Sequence, residues 1–420
     1  MRFASTVVAG AVVGLVALPA CTGMLGGGEG GGTGDLVDAA PGGGGDAGGG
    51  GGADAAGPGG PDPSDVIFAQ DELPRFDIEL PADSRTALEN DGTVYVPCTF
   101  RYGDETIANV GIRIKGEANR VPFSEKAAFK LKFDEFVPDQ RFHGLQRMTL
   151  NGGREDPSFI AERLVYLAYR EAGVAAPRAN NALVYIDGVY RGLYVNVETE
   201  DKVFLVRWFG SADGNLYEEG GQDWYPGNED AFELETNETA NDRSRLRALF
   251  EAADGASPDT LETDMAALLD VDAWLRQNAL EGLVSQWDGY AYTLFGPNNY
   301  RIYDDVATGH FHVLPWGMDM ALKPYGDSET LDLTAASGML FQKCLAGATC
   351  RARFAQIVDE ELARWSSGDL AGRGATMRAQ VRDAVAADEY SNVSVEDFDT
   401  WTGVVIDHIA TRATTAGDDL

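Results

Sequence analysis

Apolar residues recur every second position through much of the first half of the chain and every third or fourth position through the second half. Val110-Gly111-Ile112-Arg113-Ile114-Lys115 and Phe129-Lys130-Leu131-Lys132-Phe133 alternate as half-buried strands do, and residues 75–150 read as sheet. Residues 158–172 carry a helical pattern that Asp156 or Ser158 can cap and Gly173 can stop. Ala182 to Glu198 predicts a hairpin turning at Asp187-Gly188, because an Asp-Gly pair accepts the positive φ of a two-residue turn. From Asp259 onward helices dominate. Val271, Trp274, Leu275, Leu283, Val284 and Trp287 fall mainly on one face of a helix expected to end near Gly289. A second helical pattern, with Phe354, Ile357, Val358, Leu362 and Trp365, fills residues 349–415. One hairpin, residues 299–316, interrupts the helices. Sheet followed by helix predicts an α+β fold of two lobes, with a boundary near residues 200–260.

No such periodicity exists before residue 66. Met1 and Arg2 precede an apolar run from Val7 to Ala17, and Leu18-Pro19-Ala20-Cys21 closes it. That run is shorter than the roughly 20 residues a bilayer crossing needs, so it reads as an export signal. The ending resembles a bacterial lipobox, which implies lipidation of Cys21 after removal of residues 1–20; the alternative is a plain secretory signal with an incidental cysteine. Residues 21–65 are glycine, alanine, aspartate and proline with almost nothing to bury, the composition of a flexible tether. Residues 66–420 are then the folded domain. The expected location is the bacterial cell envelope, at the outer membrane or cell surface, with the membrane touched only through the lipid.

Charge narrows the partners. The chain carries a formal net charge of −34, which repels phosphate backbones and excludes nucleic acid as a partner. Cys344 and Cys350 are spaced to close a small disulfide loop in an oxidising compartment, whereas Cys98 reads as a buried thiol. No cysteine spacing resembles a zinc site, and His310 and His312 read as solvent-facing strand residues.

Two constellations carry candidate chemistry. In an antiparallel hairpin the start of one strand lies beside the end of the other, so Asn299 should neighbour Pro315-Trp316-Gly317-Met318-Asp319. With Asp288 at the exit of the preceding helix, Asp288, Asn299 and Asp319 could converge as hard oxygen ligands suited to magnesium or manganese. The same residues would serve equally as a helix exit and a surface turn. In the second constellation Arg113, Lys115, Lys130 and Lys132 share one sheet face if their strands pair in register. Cations gathered against so negative a total suggest an anionic ligand, phosphate being the usual one; a solvated face balanced by nearby acids is the alternative.

Ordered along residues 76–325, several segments resemble the spore-coat CotH kinase family. They are Arg113-Ile114-Lys115-Gly116, Phe129 to Phe133, Phe142-His143-Gly144-Leu145, Ala176-Pro177-Arg178, Tyr185 to Gly188 and Tyr190 to Tyr194. Glu198 with Asp201-Lys202, Gly214 to Tyr217, Trp287-Asp288-Gly289-Tyr290, Asn298-Asn299-Tyr300 and Pro315 to Asp319 complete the series. The resemblance implies an atypical protein-kinase-like fold that moves phosphate from ATP to serine of a protein acceptor outside the cytoplasm, with a divalent metal. By position it implies that Asp288 orients the acceptor hydroxyl and that Asp319, with Asn299, holds the metal. Lys115 and Lys132, supported by Arg113 and Lys130, would hold the nucleotide phosphates, and Glu198 would position one of those lysines. Many family members read Pro-Trp-Asp-x-Asp; here the first aspartate is Gly317. That departure, and the scarcity of ATP outside the cytoplasm, leave a catalytically silent surface binding module as the competing expectation.

Overall fold

The computed structural model describes residues 62–116, 120–294, 296–324 and 330–416. The export signal and Cys21 lie outside them, as does the tether up to residue 61. Asp62 and Asp65 ion-pair Arg178 at 3.3 and 2.6 Å, which ties the last tether residues to the folded body. Among the described residues no helix is long and apolar enough to cross a membrane.

The first half is a closed barrel built by alternation. Strands β1 (Arg75–Glu79), β2 (Val96–Tyr102), β3 (Glu105–Ile114), β4 (Phe129–Lys132), β5 (Arg147–Asn151), β6 (Ala179–Ile186) and β7 (Val189–Glu198) close in the order β1-β2-β3-β4-β5-β7-β6. All neighbours are antiparallel except β1 and β6, which run parallel and seal the ring. Phe76, Phe100, Ile112, Phe129, Leu131 and Leu150 point inward and are fully buried, so alternate residues of the same strands must face outward. Cys98 sits in this core, where burial pushes its thiol up to about 12. The expected turn at Asp187-Gly188 is present, with φ of 51° and 79°. Helix α1 (Ala82–Asn90) packs against β2, and α2 (Ala161–Glu171) bridges β5 and β6. α2 starts at Ala161, three residues later than the pattern suggests, with Ile160 at the cap position; Asp156 and Ser158 lie before it and accept the backbone N–H of Ala161 at 3.1 and 3.2 Å.

The second half is helical around a small sheet. After α3 (Lys202–Phe209), strands β8 (Leu216–Glu218), β9 (Glu233–Leu234), β10 (Tyr300–Asp305) and β11 (His310–Pro315) order as β11-β10-β8-β9. Helices α4 (Ser244–Gly255), α5 (Leu261–Met265), α6 (Val271–Leu283), α7 (Met339–Ala346), α8 (Ala348–Ser367), α9 (Leu370–Ala386) and α10 (Val395–Ala416) complete it. A disulfide between Cys344 and Cys350 joins the end of α7 to the start of α8. The fold is therefore α+β, sheet-rich then helix-rich.

One boundary differs from the pattern. α6 stops at Leu283, not near Gly289, although Val284 and Trp287 continue its apolar face. Ser285 turns into the left-handed region (φ 52°), and the buried carboxylate of Glu281 accepts N–H bonds from Ala291 and Tyr292 at 2.7 and 3.0 Å. That carboxylate pulls the following chain back across the helix. Gly289 is required there, since a Cβ would lie 2.2 Å from Glu281 Oε1.

Candidate functional site

Asp288 therefore lies in a folded-back segment beyond α6, bridged to Thr293. Its Oδ2 accepts from Asn298 Nδ2 at 3.1 Å and Asn299 Nδ2 at 2.8 Å. Burial raises its pKa, and the charge of Asp319 adds to the effect. Tyr300 pairs with Pro315 across the β10–β11 hairpin, and Trp316 N donates to Asn299 O at 3.2 Å. The hairpin thus brings Asn299 beside Trp316 and Gly317 as its register predicts. Asn299, itself at φ 50°, donates its backbone N–H to Glu219 Oε1 at 3.1 Å.

Asp319 lies on a single 3-10 turn, Met318–Met320, packed against α2. Among the described residues no hydrogen bond or ion pair ties its carboxylate down, yet its charge reaches acids on three other segments. Burial raises Asp156, Glu162 and Asp288, and in each case Asp319 contributes. Glu162 is pushed up to about 8. The charge of Asp319 thus bears on carboxylates of other segments, while Lys323 and Lys115 act the opposite way on Asp156 and Glu162.

The cationic face is also formed, unevenly. Arg113 pairs directly with Lys130 across β3 and β4, while Lys132 stands opposite Gly111. Burial lowers Lys130 to about 8, helped by Arg113 and Arg301. Lys132 is neutralised by Glu135 at 2.7 Å, so it sits at the edge of the face. Arg113 lies 5.3 Å from the Tyr95 ring and, with Gly116 and Arg120, borders a cavity of about 690 Å3. Lys115 leads toward the acids. Its Nζ donates to Asn151 Oδ1 at 2.7 Å, and Asn151 Nδ2 donates to both oxygens of Glu162 at 2.8 and 3.1 Å. The Trp316 ring lies 5.3 Å from Lys115 Nζ and 4.5 Å from the Arg301 guanidinium.

Glu198 does not position a lysine. It accepts from Arg178 at 2.8 Å and from Arg207; although burial works the other way, the two guanidinium groups hold it down at about 2. The strand pairing of Ala179 with Val197 sets Arg178 beside it, and both arginines reach it before any lysine does. The carboxylate beside Lys115 is Glu162, which the sequence pattern treats only as a helix residue.

Gly317 also has a structural role. It is left-handed (φ 60°, ψ 46°), and a Cβ there would fall 2.4 Å from Asn299 Oδ1. An aspartate at 317 therefore cannot enter without moving Asn299. Among the described residues no three His, Cys, Asp or Glu side chains gather tightly enough to hold a metal. The carboxylate of Asp319 and the amide oxygen of Asn299 are hard donors of the chemical kind magnesium takes.

A family model described as "CotH kinase protein" matches residues 112–416. Inner spore coat protein H of Bacillus subtilis (strain 168) is 23% identical over 308 residues, covering 68% of this chain and 81% of that protein. An inner spore coat protein H-like protein of the same organism is 29% identical over 75 residues, or 18% of this chain and 23% of that one. Among solved structures, a complex of HipA, HipB and operator DNA from Shewanella oneidensis MR-1 aligns with 12% identity. It covers 83% of this chain and 73% of that one, at a TM-score of 0.37, too low to bear on the fold.

Proposed function

Because the chain belongs to the CotH kinase protein family, we propose that it is a two-lobed, atypical protein kinase that transfers a phosphoryl group from ATP to a serine of a protein acceptor. The observation that supports this reading is the Asp288–Asn299 hydrogen bond, with the Asp319 charge acting on both Asp288 and Glu162, together with the Lys115–Asn151–Glu162 chain. Phosphoryl transfer asks for little else: positioning, and positive charge around the transferring group. Asp319 and Asn299 would hold magnesium or manganese, whose contribution is to neutralise phosphate charge. Lys115 would hold the nucleotide phosphates, with Lys130 and Arg113 behind it on the same face. Asp288, oriented by two amides, would accept the hydrogen bond of the acceptor hydroxyl and receive its proton as the serine oxygen bonds to the γ-phosphorus and the bond from that phosphorus to the bridging oxygen breaks, releasing ADP.

The Cys344–Cys350 disulfide supports an oxidising compartment. We extend the proposal to export and lipid anchoring through Cys21, with the acceptor outside the cytoplasm; a spore-coat location, the one in the relative's name, fits that extension. Gly317 favours a second reading, a silent binding module on the same fold, because the aspartate common in the family is absent.

One assay separates the two. The full chain is incubated with γ-labelled ATP and manganese or magnesium beside Asp319→Ala and Asp288→Asn. Label on protein serine that either variant abolishes supports the kinase. Label that persists in both variants, or none in the parent despite metal binding, sinks it.

A further inference from the structure

A second cavity, of about 410 Å3, lies at the far end of the helical half. It is bordered by Trp208 and Phe209 from the end of α3, by Asp270 and Trp274 at the start of α6, and by Asp305 and Phe311 from the β10–β11 turn. Both α6 and the hairpin run from this cavity to the site above: Asp305 and Asn299 sit at opposite ends of β10, and Asp270 and Asp288 flank opposite ends of α6. A helix of 13 residues spans about 20 Å, so the two sites are separate.

The cavity combines two features rarely left together in a protein interior. Four of its lining residues, Trp208, Phe209, Trp274 and Phe311, are aromatic, and the hydrogen bonds to its Asp305 carboxylate come from neutral donors. Asp305 is only 3% exposed; its oxygens accept from Ala307 N at 3.0 Å and Thr308 Oγ1 at 2.7 Å, both neutral donors. Among the described residues one basic group comes within ion-pair range of it, His312 at 3.8 Å, and burial lowers the pKa of that imidazole, favouring its neutral form. Arg276 also borders the cavity, but its guanidinium is committed to Glu360 and Glu361 at 2.8 Å each. Asp270 adds a second negative charge at the mouth while capping α6 through Ala273 N. A buried carboxylate is ordinarily paired with a cation, and an aromatic ring attracts an organic cation through its faces; Arg207 and Arg245 each cover one face, lying 5.4 Å from the Trp208 and Phe311 ring centres, and a ring has two.

We infer that this cavity binds an alkylammonium group, presented either by a small free molecule or by a basic side chain of a protein segment. Size agrees, since a cavity of this volume encloses a small ligand. The site stands independently of the phosphoryl-transfer reading.

Tryptophan fluorescence of the full chain would be titrated at constant ionic strength with choline, with Nα-acetyl-lysine methylamide, and with 3,3-dimethyl-1-butanol, the uncharged isostere of choline. We expect saturation by at least one cation, at an affinity about tenfold or more above the isostere. Tighter binding of choline identifies the free molecule as the source, and tighter binding of the lysine derivative the protein segment. Asp305→Asn and Trp208→Leu should each weaken binding about tenfold, while Asp319→Ala leaves it unchanged. If Asp305→Asn does not fold, as judged by circular dichroism, Trp208→Leu at its half-buried position decides alone. Equal binding of the isostere, no saturable change, or folded variants that bind like the parent would overturn the assignment.

Discussion

Lys115 and Glu162 are linked through an amide. Asn151, on β5, accepts from the Lys115 ammonium at 2.7 Å and donates to both oxygens of Glu162, which α2 brings down from the opposite side. A direct lysine–glutamate pair would spend the lysine's charge on the glutamate. With the amide between them, the ammonium keeps donors for another anion and the carboxylate stays buried and high in pKa, at about 8. On the phosphoryl-transfer reading this leaves Lys115 oriented yet uncommitted.

Asn151→Ala should therefore harm the site more than a surface change would. It strips a donor from a fully buried carboxylate and an acceptor from the ammonium, at a cost of about 1–3 kcal/mol in stability. The apparent KM for ATP should rise about tenfold as Lys115 loses its orientation. Urea unfolding and initial rates across an ATP series would measure the two effects. A variant with unchanged KM would mean that the relay does not serve nucleotide binding.

Gly317 yields a prediction of opposite sign to the one family comparison suggests. Restoring the common aspartate by Gly317→Asp puts a side chain where Asn299 already lies, on a left-handed backbone. We expect a loss of about 1–3 kcal/mol, with Gly317→Ala at least as costly because alanine tolerates that backbone less well than aspartate. Thermal unfolding of the three proteins would check this. A Gly317→Asp variant that is more stable and more active would show that Asn299 yields readily.

The parts of this architecture that could be read in the sequence are those fixed by local pattern. Phe129 and Leu131 point inward and Lys130 and Lys132 outward because a strand alternates, and Asn299 meets Trp316 because a hairpin returns to its start. Glu162 was not legible as a site residue. It lies in a helix whose residues 161–169 are all buried, so no polar face marks it, and its partner Asn151 belongs to a different element. Glu198 misled for a related reason: charge sign alone matched it to a lysine, but strand pairing delivered Arg178, and α3 delivered Arg207. The end of α6 was hidden because Glu281, inside the helix, recruits N–H groups eight or more residues downstream.

Several buried acids also set an unusual pH dependence. Burial raises Glu200, Glu219 and Glu281 from 4.5 to about 8 each; Arg301, 3.5 Å from Glu200, is hydrogen-bonded to Glu218 and does not reverse the shift. Each binds its proton more tightly folded than unfolded, so its contribution is complete below about 4.5 and lost as pH climbs through about 8. His408 acts in the other direction: burial lowers it from 6.5 to about 4, so it adds stability as pH rises across that interval. The net decline should be steepest from about pH 6.5 to 8 in chelator. Glu219→Gln, which keeps an acceptor for Asn299 N, should flatten that decline. An unchanged Tm profile in the variant would show that Glu219 ionises normally.

Two ion pairs of the same chain should differ widely in worth. Lys126 and Asp388 are both buried and in contact, joining the segment before β4 to the end of α9. Burial lowers Lys126 to about 8 in spite of its partner. Asp388 also accepts from the backbone N–H groups of Leu193, Tyr390 and Ser391, so its side chain is held in place when the lysine is removed. Lys126→Met then leaves a buried carboxylate uncompensated, at about 3–5 kcal/mol. Arg382→Met breaks a pair with Asp399 at 2.9 Å, but on the surface, and should leave the unfolding midpoint nearly unchanged. Urea midpoints at constant slope would read both, and similar losses for the two variants would mean that burial is not what makes Lys126 necessary.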